Sequence, residues 1–328
     1  MENKRDITTM QLAVILINTM IGVTILALPR FVIVEAETAA PSATVGGALI
    51  ILLGIVIITY LGRAFPNQTL VGYTKHLLGK FGAVLLIALV ILFLLITGLQ
   101  SRQFGEVIVT SLLPNTPIYV PILIMGLLVV TTSFQAPTIF AYIQFFYLFL
   151  TLAPIYFIVI AALGDIDTTN ALPILGNEAT FKGIMSGGLY VTQVMQSFII
   201  ISMIIPFLRK PESAMKAGFW GWFITATTIL IIVTVVLAVF GVNEVENMMW
   251  PTLVLGRLVR IPAEILQRLD AIFLISWIVA VFTSLLSVYY FVVRLITELF
   301  SLKNQRLVAL LLYPVVFLVA MWPEDIFQ

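Results

Sequence analysis

The sequence has no cysteine and a single histidine, His76, placed in a short polar stretch. Thiol chemistry is thereby excluded, and a metal site lacks its commonest ligands. Charge is equally scarce. Only 10% of the 328 residues are Asp, Glu, Lys or Arg, too few to wet a soluble domain of this length. A net charge of +1 offers no basic field to a nucleic acid, and no nucleic-acid partner is expected. There is no phosphate-binding loop, no zinc motif and no pair of catalytic carboxylates. No Asp, Glu, Lys or His stands near the midpoint of an apolar run, where a proton relay leaves its mark. These absences leave an enzyme reading without a catalytic residue and imply neither cofactor nor metal.

What is present is apolar: 61% of the chain is hydrophobic. Runs such as "ALIILLGIVIITYLG" from Ala48 and "AVLLIALVILFLLITGL" from Ala83 approach the roughly 20 residues that a bilayer requires. The pattern predicts an all-α polytopic membrane protein in contact with lipid, with about nine spans. They run over 8–32, 43–63, 81–104, 118–134, 139–163, 184–207, 215–240, 265–293 and 306–322. The polar start "MENKRDITT" lacks a following small-residue cleavage site and reads as the lead into a retained first helix. With the N-terminus in the cytoplasm, eleven of the seventeen basic residues fall on the inner side, among them Arg63, Lys75, Arg209, Lys210 and Lys303. That bias favours an inside N-terminus.

The whole chain, 1–328, reads as one transmembrane domain. Five spans (about 8–163) precede the 164–183 loop and four (about 184–322) follow it. An odd number per half sets two similar halves in opposite orientations, the inverted-repeat plan of many secondary transporters. This chain is one helix short of five plus five. In the loop 241–263, Trp250, an apolar run and two arginines at spacing three (Arg257 and Arg260) suggest a short helix lying at the outer interface. A buried lid over an outer vestibule is the alternative.

Polar residues inside the spans mark the candidate sites. In "LINTMIGVTILALPR" (Leu16 to Arg30), Asn18, Thr19, Gly22 and Thr24 are placed to bracket an unwound turn. Such a break would aim free backbone N–H groups and the positive end of a half-helix at an anionic group. A continuous helix with Gly22 as a packing notch explains the same residues. The sixth span carries Gln193, Gln196, Ser197 and Ser202 between Gly187–Gly188 and Pro206, a set that interhelical hydrogen bonds account for as readily as a ligand. In the third span, Arg102 and Glu106 are four apart and read as a structural ion pair, with Gln100 a turn deeper. The eighth span holds Asp270, with Arg268 as a nearby base, and a hydroxyl cluster of Thr283, Ser284 and Ser287. Those hydroxyls either bond their own helix carbonyls or coordinate a cation or amino group.

Three segments, "ITTMQLAVILINTMIGVTILALPR", "LLPNTPI" and "RLDAIFLISWIVAVFT", resemble the B subunit of spore nutrient-germinant receptors. That is the endospore germination permease family, a branch of the amino acid–polyamine–organocation transporter superfamily, and the similarity runs over essentially the whole chain. The resemblance implies a five-plus-five transporter-like fold with broken first and sixth helices. It also implies the inner membrane of a bacterial spore, the A and C receptor subunits as partners, and a role in sensing a small nutrient, commonly an amino acid. Laid over this sequence, the fold implies a pocket between helices one, three, six and eight. Gly22, Val23 and Thr24 would cradle a carboxylate. Ile96 and Gln100 would line it from helix three, Gln196 and Ile199 from helix six, and Thr283, Ser284 and Val288 from helix eight. Mostly apolar walls would suit a small hydrophobic or neutral amino acid.

The chain departs from the family pattern twice. A tenth helix is typical there, and it is peripheral to the implied pocket. Members also often carry a carboxylate in helix six where Ser202 stands here, which removes support for proton coupling. Two alternatives stand beside the receptor subunit. An ion-coupled amino-acid symporter would use the hydroxyls of helix eight for a cation, and a channel for water or small solutes would need a continuous polar path.

Overall fold

An apolar segment in a bilayer must satisfy its own backbone hydrogen bonds, and a helix does so within the segment. The computed structural model describes residues 5–173, 180–258 and 269–323. Among these residues helix is the regular structure, with one isolated bridge between Ile7 and Leu208. Six helical stretches are long and apolar enough to cross a membrane, and three shorter apolar helices accompany them. Each of the nine expected spans coincides with helix among the described residues, and 265–268 of the eighth lie outside them.

The first span is in two pieces, α1 (Thr9–Met20) and α2 (Leu28–Ala36), joined through a 3₁₀ turn at Val23–Leu26. A capping box starts α1: Gln11 N–H donates to Thr8 Oγ1 at 3.2 Å and Thr8 N–H to Gln11 Oε1 at 2.8 Å. Then come α3 (Ala40–Ala64), α4 (Leu70–Ser111), α5 (Tyr119–Thr132) and α6 (Pro137–Ala161). Gly79, at φ 55°, divides α4 into a short helix over 70–78 and a long one beyond. His76 therefore stands on a helix rather than in the polar loop expected for it, because the 70–78 stretch winds up before the membrane run begins. The sixth span is also interrupted: α7 (Phe181–Met195) passes through a 3₁₀ stretch, Gln196–Ile200, into the single turn α8 (Ile201–Ile204). α9 (Ala214–Glu246) bends at Gly241, φ 73°, and is followed by α10 (Pro251–Leu258), α11 (Leu269–Leu299) and α12 (Gln305–Met321).

α11 is the hub of the bundle. Within its apolar stretch 78% is buried, against 28% for the stretch that includes α6, and it packs on α1, α4, α5 and α6. The outward faces carry bare apolar side chains such as Leu53, Phe149 and Leu318, a surface that lipid covers at no hydrophobic cost. At the end holding the N-terminus, Ile7 N–H donates to Phe207 O (3.1 Å) and Arg209 N–H to Ile7 O (2.9 Å). Lys75 Nζ donates to Leu299 O (2.9 Å), and the Thr69 hydroxyl bonds the Glu298 carboxylate. At the opposite end Arg30 Nε donates to Glu246 O (3.2 Å) and Thr38 Oγ1 to Pro173 O (2.7 Å).

The short helix expected at the outer interface exists as α10, but it is not laid on the surface. Pro251, Thr252, Leu253, Leu255 and Gly256 are buried, and Thr252 Oγ1 donates to Ile25 O at 2.9 Å. The segment is buried, as the lid alternative required, and its Thr252 satisfies a carbonyl that the first-helix break leaves open. Arg260, and Arg268 as the partner of Asp270, lie outside the described residues.

Candidate functional site

The break in the first span sets the geometry. Ile21 N–H still donates to Ile17 O at 2.8 Å, after which Gly22 (φ −149°, ψ −133°) takes the chain out of the helix. The turn resumes with Ile25 N–H to Gly22 O (3.4 Å) and Ala27 N–H to Thr24 O (3.1 Å). A glycine is required here by contact. A Cβ at position 22 would lie 2.1 Å from Ser284 Oγ and 2.5 Å from Ser284 Cβ. The Ser284 side chain thus occupies the face of the break.

The hydroxyls of the eighth span bond their own helix, with Thr283 Oγ1 donating to Ala280 O (2.9 Å) and Ser284 Oγ to Val281 O (3.2 Å). Ser287 Oγ donates to Thr283 O at 2.9 Å. These groups join a wholly buried amide tie. Gln144 of α6 donates through Nε2 to Thr283 O (3.0 Å) and Ser287 Oγ (2.8 Å). Asn18 Nδ2 donates to Gln144 O (2.7 Å) and to Gln144 Oε1 (3.0 Å), while Asn18 Oδ1 is buried without a partner. Helices α1, α6 and α11 are held together one turn before the break. The sequence reading passed over Gln144, although a lone amide in "FAYIQFFYLF" was the signal for it.

Beyond the break, on the side of α2, lies a cavity of about 280 Å³. The first span lines it with Thr24, Ala27, Leu28 and Phe31, and α4 with Ile96, Leu99, Gln100, Arg102 and Gln103. Tyr190, Gln193, Val194 and Gln196 face it from the sixth span, and Trp250, just ahead of α10, with Pro323 completes the wall. Phe31 and Tyr190 stack at 5.2 Å. Arg102 Nε donates to Glu106 Oε1 at 2.6 Å in a largely buried ion pair. Gln100 Oε1 and Trp250 Nε1 are buried without protein partners.

Of the ten residues assigned to a pocket, Thr24, Ile96, Gln100 and Gln196 line this cavity. Gly22, Val23, Thr283, Ser284 and Val288 are buried away from it, and Ile199 is half-buried outside it. The cavity is therefore bounded by helices one, three and six and by the lid segment, with helix eight excluded. The physical reason is the Gly22–Ser284 contact, which closes the gap between α1 and α11. Trp250 and Gln103 were not foreseen as lining residues. Gln103 is three positions from Gln100 and shares its helix face, a spacing visible in the sequence.

Long apolar helices, a broken first span and a cavity beside the break define a polytopic helical membrane protein with an internal small-molecule-sized site. The profile of the spore germination protein family matches residues 6–328, and the chain belongs to that family. It is 28% identical to spore germination protein YndE of Bacillus subtilis over 97% of this chain and 88% of that one. Identity to spore germination protein B2 of the same organism is 27%, over 99% of this chain and 89% of the relative. Spore germination protein A2 is 24% identical over 97% and 87% of the two chains.

Proposed function

We propose that this chain is the nutrient-sensing subunit of a spore germinant receptor, binding a small nutrient such as an amino acid and triggering germination. It does so in the spore inner membrane with the N-terminus on the core side, in complex with A and C subunits. The fold is read as a five-plus-five inverted repeat. Interruptions at Gly22 and at Gln196–Ile200 fall at corresponding places in the two halves and support that reading. The observation that carries the proposal is the cavity of about 280 Å³ beside the broken helix, in a chain matched along its length by spore germination proteins. A nutrient bound there shifts the receptor only through its differential affinity for two conformations. Thr283, Ser284 and Ser287 all donate to carbonyls of their own helix, so bonding within α11 accounts for the hydroxyl cluster.

The test fills the cavity. In spores, Ile96→Trp is expected to raise the half-maximal nutrient concentration by about tenfold or more, the loss of roughly one good contact's worth of affinity. Leu53→Trp, on the exposed apolar face, is the control and is expected to respond like wild type. A wild-type response from Ile96→Trp, at normal subunit level by immunoblot, would place the nutrient elsewhere and sink the reading.

A further inference from the structure

Four glutamines line the cavity in two facing pairs. Gln100 and Gln103 lie three apart on α4, and Gln193 and Gln196 lie three apart where α7 passes into its 3₁₀ stretch. Each pair therefore shares a helix face. Among the described residues, none of these four side chains makes a hydrogen bond to the protein, although Gln103 is only 9% exposed. Each carboxamide carries two N–H donors and one carbonyl acceptor, none of them taken up by the protein and so open to whatever occupies the cavity. Among the described residues the one charged lining residue, Arg102, is matched by Glu106 at 2.6 Å, so the described wall is neutral.

We infer that the cavity selects a small molecule that is neutral overall and bears an uncharged hydrogen-bonding group, a carboxamide or hydroxyl, over one with a purely apolar or a charged side chain. This rests on the receptor reading and sharpens it, since the sequence and its resemblance pointed only to mostly apolar walls and a small hydrophobic or neutral amino acid. Sealing an apolar side chain against Gln100, whose Oε1 is buried without a partner, and the buried Gln103 leaves those amides unpaired, which disfavours the complex. A net charge is disfavoured because no lining charge among the described residues is free to meet it. Sites that hydrogen-bond a polar group reject analogues lacking it far more strongly than apolar pockets reject polar isosteres. The glutamine pairs are thus specificity-determining residues, with Gln103 and Gln193 the members that lie outside the implied family pocket.

The experiment is a germination dose–response in spores where this chain is the sole member of its family, with L-glutamine, L-asparagine, L-serine, L-leucine, L-valine, L-glutamate and L-lysine supplied singly. In wild type the half-maximal concentrations of the amide and hydroxyl amino acids should lie at least about tenfold below those of leucine and valine. Gln103→Leu and Gln193→Leu should each raise the former by about tenfold and leave the latter unchanged or lower. Gln193 is exposed, so its variant keeps the test alive if Gln103→Leu does not accumulate. Leucine or valine acting as well as glutamine, or a ranking untouched in the accumulating variants, overturns the inference while leaving the receptor reading in place. If deleting this chain alters no nutrient response, the receptor reading falls and this inference falls with it.

Discussion

At the residue scale the tightest constraint is the contact between Gly22 and Ser284. Any side chain at position 22 meets Ser284 Oγ at 2.1 Å, far inside van der Waals contact, and both residues are buried. Overpacking of this kind costs about 1–3 kcal/mol. Gly22→Ala is accordingly expected to lower the melting temperature of the purified chain and to blunt germination. The colliding atoms belong to the Ser284 side chain, and the next neighbour, Ala280 O, is 3.9 Å away. Adding Ser284→Gly should therefore restore most of the lost stability, whereas an unrelated small-residue change on α11 should not. Equal melting temperatures for the single and double variants would show that the break does not depend on this packing. The need for a small residue at 22 was legible in the sequence, where Asn18, Thr19, Gly22 and Thr24 interrupt an apolar helix. The direct contact with Ser284 was not, because the resemblance set the two residues around one pocket with a ligand between them, and their meeting depends on how closely α11 packs.

Among elements, the tie through Gln144 binds three helices whose apolar faces would otherwise slide past one another with little penalty. Hydrogen bonds of this kind between membrane helices contribute modestly, about 0.6–2 kcal/mol. Removing one partner is worse than removing both, because the survivor is left buried and unpaired at about 1–3 kcal/mol. Gln144→Leu leaves Asn18 Nδ2 its bond to the backbone carbonyl of residue 144 but removes the Oε1 acceptor beside it and both donations to α11, and should lower the melting temperature measurably in detergent. The double variant Asn18→Leu with Gln144→Leu should recover part of that loss. If the double variant loses the sum of the two single effects, the residues act independently and the tie is not a unit. Span positions were legible throughout, because long apolar runs in a membrane have few structures open to them. The role of the 251–258 segment was not. A Trp, an apolar run and a basic residue describe an interfacial helix as well as a lid, and the bond from Thr252 to Ile25 decides between them only in three dimensions.

For the whole molecule, contacts sort the loops into two sets. Residues 5–9, 66–69, 133, 207–213 and 298–305 meet one another at one end, and residues 30–38, 167–173 and 238–246 meet at the other. The sequence carries more basic residues in the first set, Arg5, Arg209, Lys210 and Lys303, against Arg30 in the second. Basic excess marks the cytoplasmic side, which in a spore is the core side. The helix order requires the two sets to face opposite sides of the membrane, but which set faces inward rests on charge alone. The absence of cysteine makes that testable with single introduced thiols. In sealed right-side-out vesicles, Asn115→Cys and Asn247→Cys should react with a membrane-impermeant maleimide, and Asn67→Cys and Asn304→Cys only after permeabilisation. The reverse pattern would invert the topology and turn the broken helix's cavity side toward the core. A nutrient from outside would then reach it only by crossing the bundle. Labelling in the expected pattern instead puts the cavity, α10 and Trp250 toward the outer face, where the proposed nutrient site has to be.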